Sequence, residues 1–182
     1  MITQNPKIMN KLVQLFLLML MQVTAGYAQK VSGTFTLPEN ERFISVSWDW
    51  SDAVIDKYLN EKDWASVNGE KKWETAKLEA MQLIVREMNS KMDKSRITVI
   101  SPESERKTAY TLYICPIKYS KKGDNQSFYV LKNNSTGEEI GRCRLNGDGG
   151  RIGTVANLLG DGYEEAARKM GKILVKYNKI RK

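Results

Sequence analysis

Three aspartates, Asp49, Asp52 and Asp56, fall within one short stretch of the chain. Paired carboxylates are what glycoside hydrolysis uses, one as acid and the other as base or nucleophile. Here that chemistry would fall to Asp49 and Asp52, acting on a cell-wall or glycan substrate. The same residues have a plainer use. Asp52 and Asp56 are four apart, share one side of a helical turn, and acidic side chains favour a helix N-terminus. A second group is glycine-rich: Gly147, Gly149, Gly150 and Gly153 precede a helical segment, where backbone N–H groups can cradle a phosphate. However, Ile152 stands where a dinucleotide fingerprint needs glycine, and no Gly-Lys-Ser/Thr occurs. A flexible strand-to-helix connection is the simpler expectation. Asn146 and Asp148 resemble the opening of a calcium loop, but its twelfth position is Asn157 instead of glutamate. There is no histidine, which excludes imidazole metal sites, Ser-His-Asp triads and Cys-His dyads within one chain. No catalytic set, metal site or cofactor site is expected.

The two cysteines, Cys115 and Cys143, each lie in an apparent strand. In an exported chain they could pair, and closing that loop would contribute about 3–4 kcal/mol. The other possibility is that both are small buried hydrophobes. Neither belongs to a Cys-x-x-Cys pattern. Trp48, Trp50, Trp64 and Trp73 suit core or rim positions, where a large ring is buried and its N–H finds a partner.

Charge is uneven along the 182 residues. The formal net charge is +8, yet the chain from Gln29 to Gly162 is near neutral. The surplus sits at the end, where Glu164 and Glu165 accompany Arg168, Lys169, Lys172, Lys176, Lys179, Arg181 and Lys182. A nucleic-acid-binding surface would need cations spread over a face, so none is expected. Cations near a helix C-terminus favour the macrodipole. That covers Lys176 and Lys179 but does not require Arg168, Lys169 and Lys172. Contact with an anionic membrane surface or an acidic partner is the functional alternative to a plain solvated face.

At the other end, Lys7 and Lys11 precede an apolar run over residues 12–21, followed by Gly26 and Ala28. A basic start, a short apolar stretch and small residues at cleavage-type positions predict a signal peptide over residues 1–28, with Gln29 the first mature residue. The run is too short to cross a bilayer comfortably, and Gln14 interrupts it. The protein is therefore expected to be exported, periplasmic or secreted, and residues 29–182 to form a single domain.

The elements that must position these residues follow from periodicity. Residues 29–41 read as a loose lead-in, and 42–48 alternate as a strand. Ser51 is placed to cap a short helix over 52–59, and 60–70 is a polar stretch. Leu78, Met81, Val85, Met88 and Met92 recur at gaps of three and four, with Trp73, Ala80 and Ile84 widening the stripe, which predicts a long helix and its core face. Strands are expected over 95–101, 109–115, 127–131 and 139–145. Pro116 implies an edge or a bulge, and residues 133–137 suit a hairpin reversal. In the closing helix Asp161 and Glu164 approach a capping box, and Val155, Leu158, Leu159, Ala166, Met170, Ile173, Leu174 and Tyr177 form an apolar face. The expected fold is α+β: one antiparallel or mixed sheet of about five strands with two long helices on one face, in the order β-α-β-β-β-β-α.

This order, with Tyr110-Thr-Leu-Tyr-Ile114, the Ser135-Thr-Gly-Glu138 turn and the helix from Asp161, resembles the small exported α+β domains of bacterial envelope proteins. That class includes the curli-secretion lipoprotein and penicillin-binding-protein activator lipoproteins. Trp48-Asp-Trp-Ser51 and Gly149-Gly-Arg-Ile-Gly-Thr154 are similar to segments of small secreted Bacteroidetes proteins of unknown function. The chain lacks a lipid-anchor cysteine and any pore-forming hairpin. The resemblance implies a fold and a compartment. The expected function is a non-enzymatic envelope or secreted module that binds a protein partner or a membrane surface, with the hydrolase as the alternative.

Overall fold

The computed structural model describes residues 31–150 and 152–180; the leader expected over residues 1–28 lies outside them. The closing alternations form a three-strand antiparallel meander: β5 (Tyr110–Tyr119), β6 (Asn125–Asn133) and β7 (Glu139–Gly147). The β6–β7 reversal is the expected one, with Gly137 at φ 72° and the Asn133 carboxamide accepting from Ser135 N–H at 2.9 Å. β2 (Phe43–Trp48) lies parallel to β5 and to β4 (Thr98–Ile100). Two helices intervene between β2 and β4, α1 (Glu61–Asn68) and α2 (Glu70–Asn89), as a parallel crossover requires. The last helix, α3 (Val155–Tyr177), and α2 cover one face of the sheet. The sheet runs β1-β7-β6-β5-β2-β4, where β1 is Val31–Gly33, and β3 (Val54–Ile55) adds to β5 beyond the end of β2. The fold is thus α+β with a mixed sheet. Among the described residues it has seven strands, against about five expected, and three helices, of which α2 and α3 are the two long ones expected.

The extra elements are those with too little sequence to carry a period. The lead-in supplies β1, which pairs with β7, and then buries Phe35 and Leu37. The stretch 52–59 is no helix. Val54 and Ile55 join the ladder of β5, and Asp56 at φ 50° turns the chain back. Two β-branched residues gain more from an open ladder than from a single helical turn. Ser51 caps nothing; its hydroxyl donates to Asp49 at 2.6 Å. The polar stretch 60–70 instead holds α1, capped by Asn60, whose side chain accepts from Asp63 N–H at 2.8 Å. α3 starts six residues ahead of Asp161, with Thr154 accepting from Asn157 N–H.

The core face of α2 is rotated from the expected stripe. Trp73, Ala76, Ala80, Met81, Ile84 and Met88 are buried, whereas Val85 is half-buried and Leu78 is 41% exposed. Pro116 lies in the interval of β5 between its pairing with β2, which ends at Ile114, and with β3, which begins at Lys118. A bulge follows it. An aromatic cluster closes this end of the core: Trp73 meets Trp50 at 4.9 Å and Trp64 at 4.7 Å, and Trp48 meets Tyr163 at 4.9 Å. Where α3 passes β7 and the β5–β6 turn, glycines set the separation. A Cβ on Gly147 would strike the Gly162 carbonyl, and one on Gly162 would strike that of Gly123. The glycine-rich run thus includes a close-packing position, and it is not merely a flexible link.

Candidate functional site

Asp49 and Asp52 line neither of the two clefts of about 590 and 450 Å³ on the sheet. Asp49 follows β2, and its Oδ1 accepts from the hydroxyl and backbone N–H of Ser51. The Ser51 hydroxyl, against a partial burial that works the other way, holds this carboxyl below its ordinary value, with the Ser51 N–H and the Lys132 charge helping. Asp52 is exposed on the turn. A cleft of about 590 Å³ gathers Asp56, Asp124 and Asp148 beside Tyr119, and neither Asp49 nor Asp52 lines it. Two of its carboxylates are occupied as loop fasteners. Asp56 accepts from Lys121 N–H at 2.8 Å, and Asp124 accepts from Gly149 N–H at 2.9 Å and from Ser120 Oγ at 3.2 Å. Among the described residues no group of three or more carboxylates and thiols is placed to hold a metal ion.

The cysteines are free and face opposite sides of the sheet. Cys115 stands opposite Phe128 on β6, whereas Cys143 stands opposite Tyr129, the next residue along. One intervening strand and opposite parity put them beyond the Cα separation a disulfide spans. Cys143 is the small buried hydrophobe, with Met170 sulfur 3.7 Å away. Burial pushes the Cys115 thiol up to about 11 and the Cys143 thiol up to about 12, so both are protonated and unreactive at neutral pH.

The more distinctive surface is the sheet face turned away from α2 and α3. Register and burial assign it Ser45, Ser47, Tyr113, Phe128, Lys132 and Arg142, and among the described residues no helix covers it. Three of its rings carry a cation. Arg106 lies 4.0 Å from the Phe43 centroid, Arg142 4.8 Å from that of Phe128, and Lys132 5.1 Å from that of Tyr113. These pairs step across β2, β5, β6 and β7. Arg142 is also held by Glu139 at 2.6 Å. The 101–109 loop flanks this face and, with β2 and β5, bounds a shallow cleft of about 450 Å³ lined by hydroxyls of Ser45, Ser47, Thr108 and Thr111. None of these residues stands out in the sequence as a site, because their pairing depends on strand neighbours.

The tail cations divide into two sets. Arg168 is bonded to Glu87 at 2.8 Å and to Glu164, and Lys169 to Glu165 at 2.8 Å. Burial of Glu87 favours its neutral form, yet Arg168 and Arg86 outweigh it and hold the carboxyl below its ordinary value. Lys172, Lys176 and Lys179 are exposed and without a carboxylate partner among the described residues. No helix is long and apolar enough to cross a membrane among the described residues.

No protein-family model matches the chain, and no curated protein matches it. Solved structures do. A point variant of the PelC dodecamer from Paraburkholderia phytofirmans is 10% identical with a TM-score of 0.39, covering 84% of this chain and 97% of that one. The PelC dodecamer in a second crystal form is 10% identical with a TM-score of 0.40, covering 83% and 98%. Protein XCC0632 from Xanthomonas campestris, of family DUF330, is 13% identical with a TM-score of 0.33, covering 81% and 90%. At these scores the likeness bears on neither function nor assembly.

Proposed function

We propose that the protein is a non-enzymatic, exported binding module of the cell envelope that engages a protein partner through the uncovered face of its sheet. The observation that carries this reading is the set of aromatic-seated cations at Phe43, Tyr113 and Phe128. Tyr, Phe and Arg are among the side chains enriched where proteins bury surface against one another. A cation resting on a ring has already lost part of its rotameric freedom, so ordering it in a complex costs less. The hydrolase alternative through Asp49 and Asp52 finds no comparable support, because Asp49 is committed to Ser51 and Asp52 stands in solvent.

Photo-cross-linking in the native envelope tests the proposal. A benzophenone amino acid at Tyr113 should give a discrete adduct that the same probe at Leu78, exposed on α2, does not give. Arg144 stands opposite Phe128 on the same face and is exposed, and Lys132→Glu with Arg144→Glu should abolish that adduct while the thermal transition stays in place. Equal labelling from both positions, no adduct at Tyr113, or an adduct indifferent to the charge reversal would overturn it.

A further inference from the structure

We propose that the C-terminal end of α3, together with the α2–β4 connection, forms a seat for an anionic lipid surface. The 3.6-residue period centres the buried face of α3 on Ala166, Met170 and Leu174 and puts Arg168 and Lys172 opposite it, with Lys176 to one side of them and, like Lys172, exposed. The outward stripe is segregated: Asp161, Glu164 and Glu165 precede the cations, and Glu164 and Glu165 neutralise only Arg168 and Lys169. Lys172, Lys176 and Lys179 stay unpaired among the described residues.

The α2–β4 connection adds to them. Ser95 bridges to Lys179, Ile180 N–H donates to the Lys94 carbonyl at 3.0 Å, and Lys91 packs beside Gly171 where the helices cross. Lys91 and Lys94 are exposed, and Asp93 is the one acid in that turn. Arg96 contributes a further charge, because its guanidinium donates to the carbonyls of Pro38, Glu41 and Leu37 and to no carboxylate. Beside these cations Ile180 is 53% exposed. Cations from two chain segments beside a solvent-facing isoleucine complement a surface that is anionic outside and apolar beneath, as an acidic bilayer is. The macrodipole accounts for cations on the last turn of α3 but neither for Lys91 and Lys94 nor for Ile180. This seat is separate from the uncovered sheet face and does not depend on it.

Vesicle sedimentation with the protein purified after export tests the proposal. The protein should pellet with vesicles containing phosphatidylglycerol and stay in solution with phosphatidylcholine alone. Pelleting should fall as salt approaches 1 M, where screening contracts to about 3 Å. Each lysine near such a surface is worth about a fivefold gain in partitioning, so Lys172→Ala, Lys176→Ala and Lys179→Ala together should lower it on the order of a hundredfold. Ile180→Ser should weaken binding at every salt concentration. A control removing equal charge elsewhere, Lys62→Ala with Lys71→Ala and Lys72→Ala, should retain most of the binding. All variants share their N-termini, so residues 1–30 contribute equally to each. Equal pelleting with both lipids, no pelleting, or equal losses in the test and control triples would overturn the proposal. So would salt-sensitive binding to polyglutamate without binding to vesicles, which would assign the patch to an acidic protein.

Discussion

Asn178 follows the last turn of α3, is 1% exposed, and divides its carboxamide among three separate parts of the chain. Its Oδ1 accepts from Leu37 N–H at 2.9 Å and from the Arg96 guanidinium, while its Nδ2 donates to the carbonyls of Phe35 at 2.7 Å and Leu174 at 3.0 Å. Truncation would leave a buried N–H and a buried carbonyl of the lead-in without partners, each costing about 1–3 kcal/mol. Asn178→Ala should therefore lower stability by roughly 2–4 kcal/mol in urea denaturation. A loss inside the usual surface range of about 0.5 kcal/mol would show that the lead-in is anchored by other contacts. An asparagine after an amphipathic run reads as an ordinary helix end, and nothing local says which distant backbone it holds. The same holds for Arg168 and Lys169: the charges are plain in the sequence, but Glu87, which occupies Arg168, comes from another helix.

At the scale of elements, the rotation of α2 can be tested directly. Ile84 is fully buried, whereas Leu78, on the same helix, has a large part of its surface in water. Ile84→Asp places an unpaired charge in the core and should abolish the cooperative thermal transition; Leu78→Asp should stay within about 0.5 kcal/mol of the parent. Comparable melting of the two variants would mean that the buried face is the one centred on Leu78 and Val85. Periodicity alone does not separate these faces, because apolar residues at positions 78, 81, 85 and 88 and at 73, 80, 84 and 88 both satisfy spacings near 3.6. The large rings decide it. Trp73 is tied into the aromatic cluster, and its Nε1 donates to Glu61 at 2.6 Å, which fixes how the helix is turned.

Across the whole molecule, the layers meet most closely where Gly162 of α3 passes the β5–β6 turn and the end of β7. The Asn125 side chain donates to the Gly162 carbonyl at 2.7 Å there, and the neighbouring Tyr163 hydroxyl lies 2.8 Å from Ser127 Oγ. A methyl group at Gly162 would meet the backbone of Gly123, which cannot swing aside as a side chain can. Gly162→Ala should cost about 1–3 kcal/mol by forcing α3 away from the sheet. Gly137→Ala, where nothing lies near the added carbon, bears only the strain of its left-handed φ. If Gly162→Ala melted with the parent, α3 would not approach the sheet as closely as described.

What the residues determined alone is local. The β6–β7 hairpin, the amphipathic runs of α2 and α3, and the crowding of cations at the tail depend on backbone bonds and side-chain periods that close within a few residues of one another. The tertiary structure decided everything settled by a neighbour distant in the chain. β1 and β3, of three and two residues, exist because β7 and β5 present unpaired backbone to them. Cys115 and Cys143 are kept apart by the parity of a strand between them. Asp49 and Asp52 lie outside the 590 Å³ cleft, which takes Val54 and Asp56 instead, because the chain runs into β3 there and not into a helix. Short strands, facing parities and ion-pair choices carry almost no local free energy of their own. Their stability comes from partners many residues away, and a period read along one segment holds no record of which partner will arrive.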